Sequence, residues 1–388
     1  MSRTPTARAV GVAVGAALIS GVSLGNLGNN LMPVLLPGII DRFHVSSGTA
    51  GMVATVQLFT TAVTTLLLTP RVARPGRARV AGLGVLAAVA GLVLAATAPD
   101  LAVLIGANVL AGAGLGAVNA AGTAAIAAAA DTDRASYVAV LGGTIVLAVL
   151  VLAVPQATGA WGGSAGFAVL AVCCAPVFWL VRALPDAAEP EHGAPTTPVP
   201  LPYLLALILL GASDQGAWSY SEIIGEHHAG MSVDAVSLVL AIASIGSLVG
   251  VFVSQAVTPR LGRLTALAVF IGAEGIAKLV LAMAPSGVVF SAAAIIWQIC
   301  YMGMLVSVLA VAAAADASGR WVASSSAGMA IGTGLGTAPA GWILDAWGAP
   351  TFGVVLTFAT AVAAGPLLRA VRTAGRACEP ALEPSLLR

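Results

Sequence analysis

Between residues 9 and 371 the chain passes through twelve apolar segments, each near the roughly 20 residues that a helix needs to cross the hydrocarbon of a bilayer. They run over about 9–38, 48–69, 79–98, 101–130, 135–159, 164–184, 202–224, 232–257, 264–284, 286–315, 321–344 and 349–371, numbered here as spans 1 to 12. Only 9% of the 388 residues are charged and 59% are hydrophobic, whereas a soluble chain carries about 25% charge. Lipid must therefore be the solvent for most of the surface. The expected fold class is an all-α membrane protein with 12 transmembrane helices.

The spans come in two sets. Ala160-Trp161-Gly162 returns as Ala346-Trp347-Gly348, 186 residues on, and the run Ala127 to Asp131 returns as Ala312 to Asp316, 185 residues on. Thr69-Pro70-Arg71 returns as Thr258-Pro259-Arg260, and Ala98-Pro99 as Ala284-Pro285. One order at one spacing indicates a six-helix bundle doubled in parallel, and paired halves of that kind enclose a solute site between them. The division drawn from this is an N-terminal bundle over 9–184, a solvated linker rich in Pro, Asp and Glu over 185–201, a C-terminal bundle over 202–371 and a tail over 372–388.

Basic residues orient the bundle. Fifteen arginines, among them Arg3, Arg8, Arg71, Arg79, Arg134 and Arg182, fall on the side of the N-terminus, and Arg42 alone falls on the other. Both termini and the linker are expected in the cytoplasm. The run after Arg3 and Arg8 is too long for a signal-peptide core and reads as span 1. A net charge of +1 without a basic stripe gives no reason to expect nucleic acid, and the Arg-rich, Lys-poor composition suggests a bacterial inner membrane. Cys173, Cys174, Cys300 and Cys378 have no zinc or redox spacing and read as apolar filler. His44, His227 and His228, with Glu226 beside the last two, read as solvated outer loops rather than a metal site, and His192 falls in the linker. No cofactor, metal or enzyme site is expected.

Twelve helices in two parallel halves around a cytoplasmic linker resemble the major facilitator superfamily over roughly residues 9–371. A loop signature supports this. Between helices 2 and 3 that family carries Gly-x-x-x-Asp-Arg-x-Gly-Arg-Arg/Lys, and Arg74-Pro75-Gly76-Arg77-Ala78-Arg79 matches its second part. The loop between spans 8 and 9 reads Pro259-Arg260-Leu261-Gly262-Arg263. The resemblance implies a gating role for Arg74, Gly76, Arg77, Arg260, Gly262 and Arg263; read from composition alone, the arginines are orientation signals. The motif's acid is replaced by Ala73 and Pro259, so gating must use other contacts.

Charges at the bilayer centre cost about 2.5–3.5 kcal/mol or more each on insertion scales. Asp214, Glu274 and Lys278 clearly qualify. Asp214 lies near the midplane of span 7, and in the resembled family helices 1, 4, 7 and 10 line a central cavity. A carboxyl group at that depth, where burial works against charge, can trade protons with whichever side is open. The other reading is an acid bonded to a neighbouring Asn or Ser. Glu222 follows in the same span as a second proton-coupling candidate. Glu274 and Lys278, four apart in span 9, form a helical ion pair in the favourable order, either structural, as expected here, or part of coupling.

Uncharged polar residues form the expected substrate set: Asn26 and Asn30, one turn apart with Asn29 beside them; Gln57 in span 2; Asn108 in span 4; Gln215 and Trp218 beside Asp214; and Trp297, Gln298 and Tyr301 in span 10. Amides and indoles around an apolar cavity suit an amphipathic or aromatic solute; the alternative is hydrogen bonding between helices. The closest pattern within the resembled family is the 12-span drug/proton antiporter group. Its helix 4 motif Arg-x-x-Gln-Gly-x-Gly appears here as Asn108-Val109-Leu110-Ala111-Gly112-Ala113-Gly114, without the Arg, and its helix 5 signature survives only as Pro155 and Gly159. Gly112, Gly114 and Gly116, and Gly332, Gly334 and Gly336, suit close helix packing better than phosphate binding, and Pro155 and Pro339 should bend their helices. The expected function is monomeric secondary active export of a small hydrophobic or amphipathic compound in exchange for protons. Uptake of a small polar solute, or ligand sensing without transport, are the alternatives.

Overall fold

The computed structural model describes residues 11–129, 131–186, 198–316 and 320–377. Arg3, Arg8, His192, Cys378 and Arg388, with most of the linker and tail drawn from sequence, lie outside the described residues. Among the described residues, nine helices are long and apolar enough to cross a membrane: α2 (Ser47–Val72), α3 (Arg77–Thr97), α4 (Leu101–Ala127), α5 (Thr132–Trp161), α6 (Ala165–Ala183), α8 (Val233–Leu261), α9 (Arg263–Ala282), α10 (Gly287–Ala315) and the run Arg320–Thr373. That last run is two helices, because Gly348 inside it has φ 73 and ψ 176; its parts are α11 (320–347) and α12 (349–377).

The two remaining spans are each broken in the middle. The first, α1, is Val12–Gly25 followed by Leu27–Phe43, bent by 49°. The seventh, α7, is Leu201–Ser219 followed by Ser221–His227. The breaks fall on Asn26 (φ −100, ψ 6) and Tyr220 (φ −102, ψ 6), so the leading helix of each half is interrupted by the same backbone conformation. Twelve spans result among the described residues. Two ends differ from the sequence reading: α1 reaches Phe43, and α12 continues to Ala377, past the apolar segment. At the end of α1, Arg42 donates to the carbonyls of Ala95 (2.9 Å) and Ala98 (2.5 Å), which finish α3. Those two bonds occupy the arginine that sits at the end away from the termini.

The duplication is written in the backbone. Positive φ occurs at Gly76 and Gly262, and again at Gly162 and Gly348, two pairs at the repeat spacing of the sequence. Ser46 accepts from Thr49 N at 3.3 Å to cap α2, and Ser232 accepts from Ala235 N at 3.3 Å to cap α8. A Ser N-cap and a left-handed Gly each fix where a helix starts or stops. Repeating them at one interval repeats the bundle.

Packing between helices uses the glycines. On α4, a methyl group at Gly112 or Gly116 would overlap the Gln57 or Thr61 carbonyl of α2, and one at Gly114 would overlap Gly84 and Ala88 of α3. Where α2 and α4 touch, Thr61 and Thr65 donate to the Gly112 and Gly116 carbonyls, both at 3.1 Å. On α11, Gly332 and Gly336 abut α7 at Ile208 and Ala212, and Gly334 abuts Phe59 of α2. Lipids attract nothing that another helix does not, so van der Waals contact at small residues holds such bundles together. Leu67, Leu83, Phe252 and Phe358 point outward as the lipid-facing surface.

The halves are hydrogen-bonded to each other from mid-depth to the end away from the termini. Pro33 lacks an N–H, so the Asn29 carbonyl one turn earlier loses its helical partner. Gln215 Nε2 of α7 supplies it at 3.1 Å, and Trp218 Nε1 bonds the Asn30 carbonyl at 3.1 Å. Next to Pro339, Ala338 N–H crosses to Thr55 Oγ1 at 2.9 Å. The Tyr220 hydroxyl sits between the carbonyls of Ser47 (2.9 Å) and Thr337 (3.1 Å) and can donate to one at a time. At the rim, the Asp345 carboxylate of α11 accepts from Ser47 N–H (3.1 Å) and Gly48 N–H (2.6 Å), the free donors at the start of α2. The pseudo-symmetric partner of that contact joins Gln156 of α5 to Asp234 of α8 at 2.5 Å.

Two outcomes follow from this packing. Gly112→Val should cost about 1–3 kcal/mol of stability by overpacking, seen as an earlier midpoint in a detergent-denaturation titration. Gly106→Val on the same helix meets open space and should leave the midpoint in place; equal shifts would contradict the packing described. Asp345→Ala removes bonds with a net worth of about 1 kcal/mol. In a background without native cysteines, a cysteine at the buried Thr337 should then react with an aqueous maleimide about fivefold faster, and an unchanged rate would rule out a closing role for Asp345.

Candidate functional site

Where the two halves meet at mid-depth they enclose a cavity of about 300 Å³. The break in α1 brings Asn26, Asn29 and Asn30 to its wall, and α7 contributes Asp214, Gln215 and Trp218. From α10 come Trp297, Gln298 and Tyr301. The amide nitrogens of Asn26 and Asn30 are spent on the carbonyls one turn back, Val22 at 3.0 Å and Asn26 at 2.9 Å. Their amide oxygens remain as acceptors. Trp218 and Trp297 stack edge to face at 6.1 Å between centroids and form an aromatic wall. Trp297 is almost wholly enclosed, and its indole N–H has no partner.

Eight of the residues expected at a substrate site are thus brought together: Asn26, Asn30, Asp214, Gln215, Trp218, Trp297, Gln298 and Tyr301. Three candidates are not among the lining residues. Gln57 is buried beside Gly28 and Leu58, and both its amide atoms lack partners. Asn108 turns back to the Leu104 carbonyl at 2.8 Å. Glu222 is buried in the second piece of α7, beyond the break at Tyr220. The sequence reading also missed part of the wall: Thr144 on α5, Ser244 and Ser247 on α8, and Thr333 on α11. Ser237, Ser244, Ser247 and Ser254 recur at helical intervals along span 8, a polar stripe that could have marked it.

Behind Asp214 lies a cluster of three ionisable groups. Lys278 on α9 is fully buried, and its ammonium stands 2.5 Å from Asp214 Oδ1 and 2.8 Å from Glu274 Oε1. It also bonds Thr360 Oγ1 of α12 at 2.9 Å and Ser213 Oγ at 3.2 Å. The expected pairing of Glu274 with Lys278 is therefore incomplete as first drawn: the pair is not closed on α9, and the lysine's shortest contact is the cavity-lining acid of α7. Sequence spacing reveals a partner four residues away on one helix, but not one on a neighbouring helix. Removing one member of a buried ion pair strands the other and costs about 3–5 kcal/mol, so α7, α9 and α12 are tied together here.

At the end that carries the termini, the loop between α2 and α3 is held by an acid from elsewhere. Asp186, just past α6, accepts from Gly76 N–H (2.8 Å) and Arg77 N–H (3.1 Å). Arg77 is buried, lies 3.8 Å from Asp186 and reaches the Ala124 carbonyl of α4. Asp186 thus supplies the carboxylate that the loop itself lacks at Ala73. In sequence it was hidden in the segment read as linker. Arg74, Arg260, Gly262 and Arg263 lie at the surface.

Comparison with known proteins agrees with this architecture. No curated protein sequence matches the chain. A bacterial homolog of the human lysosomal transporter Spinster, solved inward-facing and unoccupied, superposes with TM-score 0.73 at 16% identity, covering 96% of this chain and 99% of that one. The nucleoside transporter NupG superposes with TM-score 0.75 at 14% identity, covering 93% and 100%. A D-xylose–proton symporter gives TM-score 0.69 at 12% identity, covering 90% and 96%. These likenesses concern the fold. The sequence model described as Major Facilitator Superfamily matches residues 15–315, and the chain therefore belongs to that family of membrane transporters, which carry small solutes by alternating access.

Proposed function

We propose that the protein is a secondary active exporter of the drug/proton antiporter type, moving a small hydrophobic or amphipathic compound outward in exchange for protons. It acts as a monomer in a bacterial inner membrane, with both termini in the cytoplasm. The observation that carries this reading is the position of Asp214, which lines the solute cavity while its carboxylate bonds the buried Lys278 at 2.5 Å. Solute and proton then converge on one carboxylate, and occupancy by one disfavours the other. Mutually exclusive binding is exchange, and an inward proton gradient turns exchange into export.

The cavity wall supports the substrate class. Asp214 is the one Asp, Glu, Lys, Arg or His among the lining residues, so nothing there recommends a phosphate or carboxylate, which would want Arg. The Trp218–Trp297 wall accepts a planar apolar body, and the amide oxygens of Asn26 and Asn30 fix a polar end. The arginine distribution supports a cytoplasmic terminal side. With that orientation the interhalf bonds near Asp345 and Tyr220 close the outer side, and the conformation is inward-facing. Glu222, beyond the helix break, has no part in this reading.

The amide-rich wall also favours a second reading, uptake of a small polar solute coupled to protons. Direction separates the two. Cells lacking the protein should accumulate more of the compound if it exports and less if it imports, with ethidium and a panel of aromatic amines as first probes. In proteoliposomes, Asp214→Asn should lower proton-driven movement at least about tenfold while solute–solute exchange continues at a reduced rate. Wild-type proton-driven transport in that variant would remove Asp214 from the coupling role.

A further inference from the structure

Donor counting around Lys278 shows where a proton must sit. An ammonium has three N–H donors, and the three hydrogen bonds formed by Lys278 go to Asp214, Thr360 and Ser213. Glu274 Oε1 is ion-paired with the ammonium at 2.8 Å but lies off its hydrogen-bonding directions, and neither Glu274 oxygen accepts a hydrogen bond among the described residues. It is 0% exposed, enclosed by protein on every side. Asp214 Oδ2 is likewise buried and without a partner. Two ionised acids beside one cation would leave a net negative charge inside the membrane, which is costly.

One proton removes both problems. We infer that Glu274 is the protonated acid in this conformation, sharing its proton with Asp214, and that it stores the proton that the transporter exchanges. Lys278 and Asp214 form the ion pair, and Glu274 is the neutral third member, donating O–H toward Asp214 Oδ2. The titratable groups facing Glu274 are Asp214 from α7, Lys278 on its own helix and Cys300 and Tyr301 from α10, while α12 presents the hydroxyl of Thr360. Among these, Asp214 is the acid that also meets the cavity. The proton leaves Glu274 for Asp214 and passes to cavity water. The Glu274 carboxylate then takes an N–H of Lys278, already at ion-pair distance, so the lysine switches partners as the proton departs. Glu274 thereby moves from a structural residue of α9 to a proton-holding one, and a role for α9 in coupling replaces the purely supporting one.

This rests on the proton-coupled reading above, and the experiment separates the two. Infrared spectroscopy of the purified protein detects the C=O stretch of a protonated, buried carboxylic acid. The band should be lost in Glu274→Gln and persist, shifted, in Asp214→Asn; Glu222→Gln is recorded alongside so that its buried carboxyl is subtracted. A band that survives Glu274→Gln and vanishes in Asp214→Asn overturns the assignment. Should either variant fail to fold, Glu222→Gln protein carrying side-chain carbon-13 glutamate answers the same question: the band moves with labelled glutamate, and movement only with labelled aspartate overturns the inference. In proteoliposomes, Glu274→Gln imitates the protonated acid and should retain ethidium–ethidium exchange while proton flux falls at least tenfold; undiminished flux overturns the storage role. Absence of proton-driven transport in the wild-type protein overturns the export reading and the storage role together, whatever the infrared band reports.

Discussion

An ammonium group shut away from the protein surface governs the C-terminal half. Lys278 is enclosed by α7, α9 and α12, and every group that could compensate its charge comes from those helices: Asp214, Glu274, Ser213 and Thr360. The arrangement is held in place by what it would cost to undo it. Withdrawing Asp214 from Lys278 strands a cation, and adding a second ionised acid strands an anion. A cluster with such penalties has few allowed states, and each differs from the next by a proton. That makes it suited to reporting proton occupancy to the helix that carries the cavity wall.

The same economy appears in the joint between halves. Pro33 and Pro339 each deprive a helix of an internal bond. At Pro33 the vacated Asn29 carbonyl is taken by Gln215 of the other half, one residue from Asp214. The interhalf seal and the ionic cluster therefore share one short stretch of α7, residues 213–220. A chain of contacts runs from there through Gln215 to α1, and through Tyr220 and Ser47 to the rim contact at Asp345. Motion of one half against the other exchanges these bonds together with the close contacts of Gly334 on Phe59 and Gly341 on Ser47.

Much of this was legible in the sequence, for physical reasons that differ by level. Twelve spans followed from segment length, and the doubling from repeated turn residues such as Gly162 and Gly348, whose positive φ is the property the repeat preserves. Eight cavity residues were found because polar side chains are costly in hydrocarbon and seldom present without use. Gln57 and Asn108 satisfied the same rule but point into helix packing, since depth along a helix says nothing of which way a side chain faces. The link from Lys278 to Asp214 could not be read from spacing, as 64 residues separate them. Nor could Asp186, which lies beyond the apolar segment and completes a loop 110 residues earlier.

The central claim is that protonation of the buried cluster biases which end of the bundle is open. Distances between spin labels in the two halves test it most directly, with one pair at Arg74 and Arg260 on the terminal side and another at Asp41 and His228 on the far side. Without solute, raising the pH should depopulate the conformation described here, shortening the first distance and lengthening the second in the same titration. Distances that ignore pH, or that change together in one direction, would contradict the account.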